Sequence, residues 1–108
     1  APPTAARTLG VVDLPIAVFS AAELDDHRAP GGHPERPGRL DASLAGIPAA
    51  GLAEASRIVE PRLATVEELE AAHDPRLVAQ IRDFCAAGGG SIDADTFASP
   101  GSWHTARR

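Results

Sequence analysis

Apolar positions change their period along this 108-residue chain. LPIAVFS, Leu14 to Ser20, is a short run of branched and aromatic residues closed by serine, which predicts a buried strand. A polar, Pro/Gly-rich stretch, AAELDDHRAPGGHPERP, then reads as a loop. From Pro37 the period becomes helical: the proline suits a first turn, where its missing N–H is harmless, and Leu40, Leu44 and Ile47 share one face until Pro48 and Gly51 end or kink the helix. ASRIVEP predicts a second short strand, closed by Pro61. TVEE pairs Thr65 with Glu68 in a capping box, starting a helix expected to run to about His73. Asp74 is then an N-cap with Pro75 behind it, Leu77, Val78, Ile81, Phe84 and Cys85 recur at helical spacing, and Gly88 terminates the helix. SPGSWHTARR begins one more short helix, capped by Ser99 or Ser102.

Two strands separated by a helix are pieces of a parallel sheet, which is normally buried on both faces and built from several more strands. We therefore expect an α/β domain occupying residues 13–108 that is incomplete at Arg108, preceded by a flexible tail over residues 1–12. Ten basic against fifteen acidic side chains give a net charge of −5, which argues against a nucleic-acid or membrane partner reached by bulk charge. Cys85 is the single cysteine, so no internal disulfide can form. With no apolar run approaching the ~20 residues of a spanning helix, a soluble cytoplasmic protein is expected.

Several chemistries fail on detail. His27 and His33, with Asp25 or Asp26, do not have the spacing of a helical metal-ligand pair. DADTFASPGSW begins like a calcium loop, but Phe97 stands at a ligand position and no glutamate closes it. Gly88 to Gly90 lacks the lysine of a phosphate loop, and neither Ser99 nor Ser102 sits in a nucleophile-elbow glycine pattern. Trp103 reads as a packing anchor, and His73 and His104 as helix-end and helix-surface residues. On spacing alone, Asp93 and Asp95 cap loop turns, Arg39 lies on a helix surface, and Glu35 pairs with Arg36 across the loop.

Three segments taken together change this picture. GGHPERPGRL before an apolar helix, then ATVEELEAAHDPRLVAQI, then GGGSIDADTFASPGSWHTA resemble the N-terminal third of zinc-dependent histone deacetylases and the related acetylpolyamine amidohydrolases, over Val18 to Arg108. The resemblance implies the N-terminal portion of a three-layer α/β/α fold of the arginase/deacetylase type, built on a parallel sheet. It implies hydrolysis of the amide of an acetylated amine, such as acetyl-lysine or an acetylpolyamine, with zinc as cofactor. The family's histidine pair and zinc ligands fall beyond Arg108, so the resemblance puts no catalytic or metal-ligating residue in this chain, which alone would be inactive. The implied partners are the acetylated substrate and the remainder of the domain or a companion chain, with room for a homo-oligomer.

Within the chain, Asp95 aligns with the family's rim aspartate, which holds substrate; Asp93, two residues away, is its competitor. Arg39 aligns with an arginine beneath the metal site that lines the internal cavity, and His33 is expected to hydrogen-bond loop backbone near that floor. Two other readings are a non-catalytic module of the same fold and an unrelated helical binding domain presenting Leu77, Ile81 and Phe84 to a partner.

Overall fold

The computed structural model describes residues 16–108; the expected tail, and Leu14 and Pro15 of the first strand, lie outside them. Strand β1, Ile16–Phe19, leads through a 3-10 turn at Ala22–Asp26 into helix α1, Gly38–Ala49, and then strand β2, Ser56–Val59. The strands pair in parallel, from Ile16 opposite Ser56 to Phe19 opposite Val59, and Ser20 extends the ladder by donating its N–H to Val59 O at 3.0 Å. This is a βαβ unit: parallel strands need a crossover, and α1 supplies it. Leu40, Leu44 and Ile47 are half-buried, as their shared face predicts. Helix α1 starts one residue after Pro37 and runs through Pro48, ending at Ala49.

Helix α2 covers only Val66–Glu70, short of the expected end at His73. Residues 71–73 continue as a turn, with Ala72 N and His73 N both donating to Leu69 O; continuation past it is blocked at Asp74, which the following proline pushes out of the helical region, to ψ of 129°. The Thr65 hydroxyl accepts from Glu68 N at 3.1 Å, giving half of the capping box. The Glu68 carboxylate is taken instead by Arg62, whose two nitrogens donate at 3.0 and 2.9 Å. That guanidinium holds the Glu68 carboxyl below its ordinary 4.5.

Helix α3, Pro75–Ala86, is capped by the Asp74 carboxylate, which accepts from Arg76 N at 2.8 Å. It buries Val78 and Cys85, while Leu77 stays 46% exposed. Two very short strands follow, β3 at Gly90–Ser91 and β4 at Phe97–Ala98, paired antiparallel. Sequence reading places no strand there, because two-residue strands carry no alternation. Gly89 makes the hairpin's approach possible: its φ is +72°, and a Cβ there would sit 2.3 Å from Ala98 O. Helix α4, Ser102–Ala106, completes the order. Trp103 on α4 lines an apolar recess with Leu69, Leu77, Val78 and Ile81, consistent with a packing role, and the Arg107 guanidinium lies 5.6 Å from its ring centre.

Neither Ser99 nor Ser102 caps α4; the N-cap is Gly101, and it makes no side-chain capping bond. Both hydroxyls are instead committed to another segment of the chain, because residue 101 is pressed against the end of the 3-10 turn. A Cβ on Gly101 would lie 2.6 Å from both Asp26 Cβ and Asp26 O.

Candidate functional site

The loop leading into α1 is tied by four hydrogen bonds, in two groups, to the stretch running from the β3–β4 hairpin into α4. The innermost tie is at the serines. Ser102 Oγ accepts from Ser99 N at 2.7 Å and shares a 2.6 Å hydrogen bond with His27 Nδ1. Ser99 Oγ accepts from Arg28 N at 3.0 Å and donates to Asp26 O at 2.8 Å. Both serines are buried, and these bonds satisfy them.

The outermost tie is at His33. Its Nδ1 accepts from Glu35 N at 3.0 Å, and its Nε2 lies 3.2 Å from Asp95 O. His33 thus bonds loop backbone, as its position suggested, and its partner is the backbone of Asp95 itself. The two most distinctive sequence segments, HPERP and DADTF, are therefore in contact.

Asp93 and Asp95 have divided their tasks. Both sit in the hairpin loop, where Ile92 N donates to Thr96 O at 2.8 Å. Asp93 Oδ1 accepts from Asp95 N at 3.1 Å, the loop turn that an aspartate commonly makes. That backbone N–H is the largest cause holding the Asp93 carboxyl below its ordinary 3.8, with Thr96 adding to it. Asp95 is exposed; its carboxylate has a long 3.5 Å contact from Thr96 Oγ1 and also interacts with the neighbouring Asp93 carboxyl. Its N–H and C=O are both held, by Asp93 Oδ1 and His33 Nε2.

Arg39, on the first turn of α1, donates from Nη1 to Glu35 Oε2 at 3.1 Å. The pairing expected between Glu35 and Arg36 is replaced by this pair four positions apart, which joins the loop to the first turn of the helix. With the Arg39 side chain 62% exposed, the pair contributes at most ~1 kcal/mol. Glu35 also approaches His27, with Oε1 4.0 Å from Nε2.

Among the described residues, no group of three or more His, Cys, Asp or Glu side chains is placed to hold a metal ion. His33 engages both ring nitrogens, with Glu35 N and Asp95 O, and His27 Nδ1 pairs with Ser102 Oγ. Nor is any described helix long and apolar enough to cross a membrane. The residues that sequence reasoning missed are His27, Ser99, Gly101 and Ser102. A usable signal was there in SPGSW, where a glycine flanked by small hydroxyl residues marks a close approach of backbone.

Comparison with known proteins places this arrangement. The profile of the histone deacetylase domain matches residues 33–108. A probable deacetylase of Methanothermobacter thermautotrophicus (strain Delta H) is 36% identical over 76 residues, covering 70% of this chain and 22% of that protein. The crystal structure of the HDA15 HD domain is similar with a TM-score of 0.72 and 27% identity, over 85% of this chain and 27% of that one. The chain thus spans well under a third of either relative's length. Its βαβ unit and helices are a portion of the α/β arginase/deacetylase fold, which sets aside an unrelated helical binding domain. On the strength of the profile match over most of its length, the chain belongs to the histone deacetylase family.

Proposed function

We propose that this chain supplies the substrate-holding part of a zinc-dependent deacetylase that hydrolyses the amide of an acetylated amine: acetyl-lysine, an acetylpolyamine or a similar acylated amine. The zinc centre of that activity is made by side chains other than those described. Zinc supplies a polarised acyl oxygen and a bound water of lowered pKa. The proposed setting is a complete deacetylase domain containing residues 33–108, in a reducing cytoplasm that suits the unpaired, buried Cys85.

The observation that carries this reading is the exposed Asp95 carboxylate on a residue whose backbone N–H and C=O are both engaged. A carboxylate held this way accepts two N–H donors from the backbone flanking an acetylated lysine and fixes the direction in which the side chain enters a tunnel. Asp93, spent on the turn, orients the loop rather than the substrate. We assign Arg39 to the floor of the cavity, where the donors not used by Glu35 hold loop carbonyls or attract the acetate product.

Acetate release from an acetyl-lysine peptide and from an acetylated polyamine, by the complete domain with and without zinc, tests the activity. D95N removes a charge-assisted hydrogen-bond acceptor worth ~1.5–3 kcal/mol, so KM should rise about 10- to 100-fold. An unchanged KM would refute the assignment of Asp95, and absence of zinc-dependent acetate release would refute the reaction.

A further inference from the structure

We infer that His33 is a positioning residue for the substrate-holding carboxylate: it locks the Asp95 backbone by donating its Nε2 proton to the Asp95 carbonyl. The inference rests on the reading of Asp95 given above and adds to it a device outside the hairpin.

The proton's place follows from the partners. Glu35 N–H points at His33 Nδ1 at 3.0 Å, so Nδ1 must offer a lone pair. In the neutral ring the single proton is then on Nε2, and Nε2 faces a carbonyl oxygen, Asp95 O, at 3.2 Å. A carbonyl only accepts, so the arrangement is consistent at both nitrogens. The ring is also presented by a turn in its own loop, in which His33 N donates to Pro30 O at 3.0 Å.

What this does for Asp95 is geometric. The hairpin by itself fixes one side of the residue, through Asp93 Oδ1 and Asp95 N at 3.1 Å. Rotation of the following peptide is opposed from outside the hairpin, by His33. With both peptide groups held, the exposed carboxylate keeps one direction before substrate arrives, and less freedom is lost on binding. Without His33, the loop 92–96 is held only by its own bonds, and the carboxylate spends part of its time pointing elsewhere.

The test uses the complete deacetylase domain carrying residues 33–108, with the acetyl-lysine peptide as substrate and four variants. H33N keeps an acceptor near Glu35 N–H but its amide is too short to reach Asp95 O; H33Q has the length to donate there. H33A has neither, and D95A removes the group being positioned. We expect H33A and H33N to raise KM about 3- to 10-fold, the range of one ordinary hydrogen bond, with kcat within roughly twofold of wild type. H33Q should restore most of the wild-type KM. In a D95A background, H33N should raise KM no further, because nothing is left to position.

Wild-type KM in H33N, or an H33N effect of full size in the D95A background, would overturn the inference while leaving the Asp95 reading intact. A D95A variant with wild-type KM would overturn both. A generally structural role would lower stability in H33N and H33Q alike without the KM rescue, which also overturns it. H33N is designed to retain the Glu35 contact, and H33N and H33Q are compared at equal folded fraction by circular dichroism, so the test does not depend on H33A accumulating.

Discussion

Replacing Ser102 with alanine removes three hydrogen bonds from one buried atom. Ser102 Oγ accepts from Ser99 N at 2.7 Å, pairs with His27 Nδ1 at 2.6 Å and lies 3.1 Å from Ser99 Oγ. The dominant cost is the Ser99 N–H, which is buried and is left without an acceptor; such an orphan costs ~1–3 kcal/mol. The lost His27 bond adds ~1 kcal/mol, since the imidazole is partly exposed and water replaces some of it. Alanine returns about 0.5 kcal/mol through its better helix propensity at the first residue of α4. The balance is a loss of ~2 kcal/mol, set by the orphaned amide and not by the helix.

Urea unfolding of the chain, followed by Trp103 fluorescence, reads this directly: Trp103 is the single tryptophan and is the next residue. With a urea slope of ~1–3 kcal/mol per molar for a domain of this size, the midpoint should fall by about 1 M at an unchanged slope. S43A is the control. Ser43 Oγ donates to Arg39 O at 2.9 Å on the exposed side of α1, so its loss should stay within ~0.5 kcal/mol. A midpoint for S102A no lower than that of S43A would refute the reasoning.

Two further outcomes follow from local geometry and charge. G89A should cost more than G51A, although both glycines have a left-handed φ, +72° and +74°. The strained backbone costs each ~1–2 kcal/mol, but only at 89 would the new Cβ meet Ala98 O at 2.3 Å, so equal urea midpoints would sink the close-approach argument. Acid should weaken the fold as the pH drops below the ordinary 3.8 of Asp74 and 4.5 of Glu68, because Arg76 and Arg62 depress those carboxyls in the folded state. Stability from a depressed acid is present above its unfolded value and lost as pH falls through its folded one. D74N should lose less stability than wild type across that window in urea midpoints taken against pH, and identical acid slopes would contradict the assignment.

What the sequence revealed is what acts over a few residues. Thr65 with Glu68, and Asp74 with Pro75, were readable because a cap and the amide it serves are two or three positions apart. The half-buried stripe of Leu40, Leu44 and Ile47 follows from the same short range. Where two local partners compete, sequence alone does not decide: Glu35 has Arg36 and Arg39 within four positions, and it pairs with Arg39. Glu68 was likewise expected to cap and instead holds Arg62, a charged partner outbidding a backbone amide.

The candidate site was legible as a set of residues and not as an arrangement. His33 was expected on loop backbone, yet nothing in its neighbourhood names Asp95, which lies 62 positions away. Ser99 and Ser102 were read as caps because helix starts use serine; their real partners, Arg28 and His27, are 71 and 75 positions distant. A buried serine bonded to a remote segment has the same local signature as a serine at a helix start. Only the glycine between them, with Asp26 packed against it, separates the two.

The ties between the entry loop and the segment from Asp95 to Ser102 also differ in what they cost to close. Joining points some 70 residues apart costs chain entropy of about 4 kcal/mol on a (3/2)RT ln n scale, and a single hydrogen bond at His33 returns far less. The cluster of Arg28, Ser99 and Ser102, reinforced by burial, can meet that cost. Once it has formed, His33 and Asp95 belong to a ring of roughly ten residues, for which the same expression gives about 2 kcal/mol. Such long-range contacts raise contact order and slow folding. The buried serines work as a latch that roughly halves the closure cost left for His33's bond to offset.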